Sequence, residues 1–166
     1  MAAAIACLSL AVVAVPWAAE ADSRRIHWTG PDIGVLGVEK TDDGALAVAL
    51  RIEVEYQGIG SFTLTGLSAD IPGMRLLPVN KARDETGQVT VESGSWETLR
   101  RTVVITDCEA VPREPQPIRF TYRTWLGDGE GQVVWHPRQL PEESVTVAWQ
   151  RGIAIEACDE AVERWS

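Results

Sequence analysis

The sequence predicts an all-β domain, a two-sheet antiparallel sandwich of immunoglobulin-like type, preceded by an apolar N-terminal segment. Three observations predict it: apolar and polar residues alternate over long stretches, turn residues separate these stretches, and two cysteines lie in the body of the chain. Short alternating strands between turns are typical of a sandwich, and a barrel is the alternative. With 166 residues, 45% of them apolar, the chain is long enough for one domain with a sizeable core.

The first 19 residues form an almost wholly apolar segment. Ala19-Glu20-Ala21 is a small-residue cleavage site, which predicts a signal peptide over residues 1–21 and a mature domain over residues 22–166. An uncleaved membrane anchor is the alternative, because a helix of this length spans roughly 28 Å at 1.5 Å for each residue. Either interpretation predicts an exported protein, extracellular or held at the cell envelope.

The longest alternating pattern runs from Ala45 to Tyr56 and predicts a half-buried strand. Every second residue from Leu46 onward is apolar, whereas helical spacing would scatter these residues around the axis. The turn residues Asp42–Gly44 predict pairing with a strand over Val35–Glu39. After the long strand, the glycine-rich segment Gln57–Gly60 predicts a hairpin loop.

Shorter alternating segments fill the rest of the chain. They predict strands over Ser61–Ala69, Gln88–Glu92, Trp96–Thr106, Ile118–Leu126, Val133–His136, Val145–Trp149 and Ile153–Ala157. Prolines and a glycine interrupt Ile71–Asn80, which predicts an edge strand or a loop, and Lys81–Gly87 is a charged loop. Gly127–Gly131 is interpreted as a turn, and a helix is predicted only over Asp159–Trp165.

Cys108 and Cys158 predict a disulfide. Cys7 leaves with a cleaved signal peptide, so the mature chain has an even number of cysteines, and two cysteines in an exported domain are usually bridged. Closing a loop of this length stabilises the fold by roughly 4 kcal/mol on the chain-entropy model. Two buried free thiols are the alternative. The chain has no C-x-x-C motif and its two histidines lie far apart, so no zinc site is predicted.

Four features follow one another in the C-terminal part of the sequence. They are the segment Val103–Cys108 (V-V-I-T-D-C), the proline-rich link Val111–Pro117, the strand Ile118–Leu126, and the late pair Ala157-Cys158. This arrangement resembles uncharacterised exported or membrane-anchored actinobacterial β-sandwich proteins with a late disulfide. The resemblance covers mainly residues 95–158. It implies a cell-envelope location and a paired disulfide, and it implies no activity and no site residue.

Charge and motifs exclude several function classes. A net charge of −9 leaves no basic stripe for nucleic acid or for an anionic membrane surface. Neither H-E-x-x-H nor G-x-S-x-G is present, and no glycine-rich loop precedes a lysine and a helix. The alternation Asp128-Gly129-Glu130-Gly131 lacks the further acids of a calcium loop. The sequence therefore predicts no enzyme, no cofactor and no metal, but a non-enzymatic interaction or structural domain.

Arg119, Arg123 and Trp125 form the predicted partner-binding surface. They alternate with the inward residues Phe120 and Tyr122, so they should face outward. An outward tryptophan flanked by arginines is typical of a recognition surface, here for an unknown protein or glycan, acidic or anionic in character, at the cell envelope. In the alternative interpretation Trp125 covers the hairpin and stacks on Arg123.

Two other functions remain candidates from the sequence. A small-ligand or carbohydrate-binding sandwich would bring aromatic residues together at an open groove. The residues for such a cluster are Trp28, Trp125, Trp135 and Trp149. A hydrolase would instead show converging acids or a Ser–His pair in a pocket.

Overall fold

The computed structural model describes residues 25–29, 37–77, 88–135, 138–139 and 146–165. The segment predicted to be a signal peptide or membrane anchor lies outside the described residues, as do Cys7, His136 and the loop Lys81–Gly87. Among the residues described, no helix has the length and apolar character needed to cross a bilayer.

Twelve strands and one helix occupy this part of the chain. The strands are β1 (Ile26–Thr29), β2 (Val38–Lys40), β3 (Leu46–Tyr56), β4 (Ser61–Ser68), β5 (Asp70–Ile71), β6 (Met74–Leu76), β7 (Val89–Glu92), β8 (Ser95–Ile105), β9 (Ile118–Thr124), β10 (Gly127–Val133), β11 (Arg138–Gln139) and β12 (Thr146–Val147), and the helix is α1 (Trp149–Trp165).

Two antiparallel sheets enclose one core. Sheet A has the order β1-β3-β8-β6-β5, with β2 also paired to β3, and sheet B has the order β10-β9-β4-β7. Aromatic rings pack across the gap between the sheets: Trp28 on β1 lies 5.0 Å from Phe120 on β9, centroid to centroid. The predicted all-β architecture of two antiparallel sheets is confirmed.

The central pair of sheet A is β3 with β8, which are antiparallel along their whole length. The alternate residues of β3 from Val48 to Tyr56 are all fully buried, as their period of two predicts. The pairing of β2 with β3 across the Asp42–Gly44 turn is also confirmed, and the Thr41 amide donates to the Ala45 carbonyl at 2.9 Å to close that turn.

The connection Gln57–Gly60 is not a hairpin, which corrects the prediction. It carries the chain from β3 in sheet A to β4 in sheet B. The end of β3 and the start of β4 pack face to face, since the rings of Tyr56 and Phe62 stack with centroids 5.6 Å apart. Because β3 and β4 lie in opposite sheets, these two rings meet across the core.

The segment Gly127–Gly131 is a strand rather than the predicted turn. It pairs with β9 in a register from Gly127↔Thr124 to Val133↔Ile118, so the turn consists of Trp125 and Leu126. The alternation of acid and glycine is a strand pattern whose glycines face inward.

Those inward glycines make room for the aromatic rings of β9. A Cβ on Gly129 would lie 2.5 Å from the Tyr122 ring, and one on Gly131 would lie 2.5 Å from the Phe120 ring. The rings of β9 thus lie over bare backbone on β10. The composition of β10, acids alternating with glycines, is typical of a turn, so the sequence did not indicate a strand. The space that side chains would fill at its glycines is occupied by the aromatic rings of β9.

The region around Gly152 is helical, so the predicted strand Ile153–Ala157 is wrong. The predicted strand Val145–Trp149 is confirmed only at Thr146–Val147, which forms β12 and pairs with β11, since helix α1 begins at Trp149. Its buried residues follow helical spacing rather than a period of two: Trp149, Gln150, Gly152, Ile153, Ala154 and Ala157. The predicted helix Asp159–Trp165 is the second half of α1.

The predicted disulfide between Cys108 and Cys158 is confirmed, and it joins the segment after β8 to helix α1. Its cysteines are separated by 50 positions and their Cα atoms by 6.6 Å. Strands β9 and β10 of sheet B therefore lie within the disulfide-closed loop.

The first turn of α1 holds the proline-rich link in place. Gln150 is fully buried, and its Nε2 donates to the carbonyls of Pro112 at 3.0 Å and Glu114 at 2.6 Å. Trp149 Nε1 donates to the Gln116 carbonyl at 2.9 Å. Alternate carbonyls of the link therefore point at the helix, as in a rigid extended connection.

Candidate functional site

The outer face of sheet B carries two of the three predicted partner-binding residues. On this face, cross-strand pairs join Arg119 to Gln132, Thr121 to Glu130 and Arg123 to Asp128, and all six side chains are exposed. The alternate residues of β9 on its other face, Ile118, Phe120 and Tyr122, are buried. The predicted division of this strand into an inner and an outer face is therefore confirmed.

Two shallow grooves run along this face. The larger, of about 610 Å³, includes Arg119, Ser68 and Gln132 in its walls. The smaller, of about 460 Å³, includes Arg123 and Asp128, and both grooves include Thr121 and Glu130. They are contiguous at these two residues and together follow the length of β9.

Short polar side chains and one glycine shape the floor of these grooves. A bulge in β4 lies between Leu64 and Gly66, and the Thr65 hydroxyl donates to Thr121 Oγ1 at 3.0 Å. A Cβ on Gly66 would lie only 2.6 Å from Thr121 Oγ1, so a larger residue there would displace this hydroxyl from its place beside Thr65. Sheet B thus presents a hydroxyl-rich surface with backbone accessible at its centre.

Arg123 forms an ion pair with Asp128. The Arg123 Nε donates to Asp128 Oδ1 at 2.7 Å, and both side chains are more than half exposed. The hydrogen bond and the positive charge of Arg123 lower the pKa of Asp128, and Asp128 in turn raises the pKa of Arg123. The positive charge predicted for this surface is therefore offset at Arg123, and Glu130 adds a second acid to the same face.

The three predicted binding residues do not form one compact patch. Arg119 and Arg123 are four residues apart on β9, which corresponds to about 13 Å along the strand. Trp125 belongs to the turn beyond the end of β9, about 20 Å from Arg119 by the same rise. The arginines flank the two grooves, whereas the tryptophan lies at one end of the sandwich.

We call that end the tip, and three connections define it: Gln57–Gly60, Ser93–Gly94 and Trp125–Leu126. The Ser93 amide donates to the Gly60 carbonyl at 2.9 Å, which joins the first two connections. A Cβ on Gly60 would lie 3.4 Å from Trp125 Cδ1, so the indole packs beside the first connection.

The tip exposes large apolar side chains that sequence reasoning missed, apart from Trp125. Ile59 and Trp125 are each 67% exposed, and Leu126 is 40% exposed. Trp96, which is 62% exposed, follows the Ser93–Gly94 connection on β8 and lies beside the tip on the outer face of sheet A, opposite Glu55. The apolar residue between two glycines in Gly58-Ile59-Gly60 was the available signal, because an isoleucine at the apex of a short connection has no core to enter.

The four tryptophans of the carbohydrate hypothesis do not meet at a groove. Trp135 and Trp149 are buried, with ring centroids 4.8 Å apart, and Trp28 packs on the core residue Phe120. Trp125 alone of the four is exposed, at the tip. An aromatic platform for sugar rings is therefore not formed by these residues.

The described residues also bear on the hydrolase and metal hypotheses. Within residues 25–29, 37–77, 88–135 and 146–165, no three His, Cys, Asp or Glu side chains are grouped closely enough to hold a metal ion. His27 lies on β1 with an exposed side chain, opposite Glu55. The lowered pKa of Asp128 keeps that carboxyl ionised at neutral pH, which does not suit a proton donor.

Comparison with known proteins found no matching family model, no matching curated protein and no matching solved structure.

Proposed function

We propose that this chain is a non-enzymatic interaction domain of the cell envelope and that it binds a protein partner on the outer face of sheet B. The observation that carries this proposal is the pair of contiguous grooves along β9, with Arg119 at one end and the Arg123–Asp128 pair at the other. Such a surface offers hydrogen-bonding groups over the whole length of a strand.

The shape of this surface favours a macromolecule over a small ligand. Small-molecule sites are concave and enclose most of the ligand. The grooves on sheet B are shallow and open to solvent, with the exposed side chains of Arg119, Thr121 and Gln132 along them. Protein interfaces combine arginine with a polar, water-accessible rim, and this combination matches the face more closely.

Charge and compartment further define the proposal. Because two acids accompany the two arginines, the face attracts a partner through directional hydrogen bonds more than through net charge. The disulfide favours an oxidising compartment, and the apolar N-terminal segment favours export. The resemblance to actinobacterial envelope proteins supports the same location.

A reversal of charge at Arg119 tests the binding face. A partner cross-linked in envelope extract is identified, purified and titrated against Arg119→Glu and Arg100→Glu. Arg100 is the matched control, since it is an exposed arginine on β8 in sheet A. We expect Arg119→Glu to weaken binding about tenfold or more and Arg100→Glu to leave it nearly unchanged. Equal weakening by both variants, or by neither, would contradict the proposal.

We also propose that the sandwich is immunoglobulin-like, and the strand order supports this. In that fold, strands A, B, E and D form one sheet and strands C, F and G the other. The sequence β1-β3-β8-β6 matches the first order, and β4-β9-β10 matches the second. The departure is β7, which follows β6 in the chain yet pairs with β4 in sheet B.

A further inference from the structure

The tip is also where the N-terminal segment joins the domain. β1 begins at Ile26, opposite Tyr56 at the end of β3, and the Gln57 amide donates to the Arg25 carbonyl at 2.9 Å. The chain therefore arrives beside the connection Gln57–Gly60, where Ile59 is exposed. Only five residues separate Arg25 from Ala19, the end of the apolar segment.

This short spacing fixes how far the tip can be from that segment. A chain extends at most about 3.5 Å for each residue, so Arg25 lies within about 20 Å of Ala19. If residues 1–19 lie in a bilayer, the tip must stay within this distance of the membrane surface. The disulfide end of the sandwich lies farther away, because the eleven residues of β8 place about 33 Å between the two ends.

The exposed residues of the tip suit a lipid–water interface. Tryptophan is enriched at membrane interfaces, because its ring is apolar while its N–H remains in contact with polar groups. Trp125, Ile59 and Leu126 give the tip both interfacial and acyl-chain contacts, and Trp96 adds a second tryptophan beside the tip on the outer face of sheet A. The ion pair of Arg123 with Asp128 adds no net charge next to Trp125, while the acids Glu55, Glu92 and Glu97 at the same end must stay among the polar headgroups.

We propose that the chain remains anchored by its N-terminal segment and that the tip rests on the lipid surface through Ile59, Trp125 and Leu126, with Trp96 beside it at the level of the headgroups. This proposal rests on the envelope location given above and on the uncleaved form of the segment. In this arrangement the strands stand along the membrane normal. The grooves of sheet B then face sideways, open to a partner in the aqueous phase.

Fluorescence quenching by brominated lipid tests the contact. The full chain is placed in phosphatidylcholine vesicles with brominated acyl chains, in a Trp17→Phe background that removes the tryptophan of the apolar segment. We expect adding Trp96→Phe and Trp125→Phe to lower the quenched emission about twofold or more. Adding Trp165→Phe instead is the matched control, because Trp165 is 46% exposed at the disulfide end and should leave the quenching unchanged.

Two results would overturn the proposal. One is quenching that is unchanged by the substitutions of Trp96 and Trp125, or that falls by the same amount when Trp165 is substituted. The other is a native protein that begins at Asp22 and is released in soluble form, as mass spectrometry of the envelope and soluble fractions would show. Partner binding that still depends on Arg119 in either case would leave the proposed function intact.

Discussion

At the scale of single residues, glycines on β10 are placed where their neighbours' rings need space. Gly129 lies under Tyr122, a ring that is 1% exposed and cannot swing away into solvent. We expect Gly129→Ala to destabilise the fold by about 1–3 kcal/mol, because the new methyl group displaces a packed ring. Thermal unfolding measures the loss.

The control for this substitution is on the same strand. Glu130→Ala faces outward and should change the free energy of unfolding by less than about 0.5 kcal/mol. If Gly129→Ala proved as mild as Glu130→Ala, the ring would be free to move and the account of β10 would be wrong.

A second residue-scale prediction concerns Asp128. Because Arg123 lowers the pKa of Asp128 in the folded state, the pair stabilises the fold above the pKa that this carboxyl has in the unfolded chain. That contribution disappears as the pH falls through the lower, folded-state pKa. We expect an NMR titration to give Asp128 a midpoint below the ordinary aspartate range, and Arg123→Ala to raise it. An unchanged midpoint in the variant would show that the ion pair does not persist in solution.

At the scale of elements, Gln150 links helix α1 to the proline-rich link. Removing its side chain takes the donor from the Pro112 carbonyl and one of two donors from the Glu114 carbonyl, which also accepts from Gln116 Nε2. It also leaves a fully buried position unfilled. We expect Gln150→Ala to cost about 2 kcal/mol or more, which for a chain of this size lowers the melting temperature by several degrees. Glu163→Ala, on an exposed position of the same helix, is the control and should have little effect.

Long strands were predictable because packing on one face imposes a period of two. β3 and β9 follow this period, and their buried residues were identified correctly. β8 follows it only in part, since Arg101 on its inner face and Val104 on its outer face are also buried, and the apolar pattern indicated neither. The helix was not predictable in the same way, since Ile153, Ile155 and Ala157 also alternate like a strand. Docking against the proline-rich link, which is distant in sequence, decides in favour of the helix.

The candidate site was predictable only in part, for a related reason. Parity along β9 placed Arg119 and Arg123 outward correctly. The partner strand opposite them was interpreted as a turn, so the ion pair with Asp128 was missed. The tip was also missed, because it forms only where connections from both sheets lie side by side. No pattern within a single segment of the sequence indicates which connections will be neighbours.

At the scale of the whole molecule, the disulfide ties the helix to the segment after β8. We expect Cys108→Ser and Cys158→Ser to lower the free energy of unfolding by similar amounts, up to roughly 4 kcal/mol. The double variant should cost no more than either single one, because both remove the same bond. Chemical denaturation of the three variants measures this, and additive losses would mean that the cysteines also stabilise the fold separately.

The same bond limits how far the chain can be stretched. The stretch between Cys108 and Cys158 covers 50 positions, and at about 3.4 Å for each residue it holds roughly 170 Å of contour length. A mechanical load applied at Arg25 and Trp165 bypasses this loop, which contains β9, β10 and the grooves beside Arg119. Single-molecule extension should therefore end about 170 Å shorter for the oxidised protein than for the reduced one. Under tension, β9 and β10 would be the part of the sandwich that cannot be pulled straight.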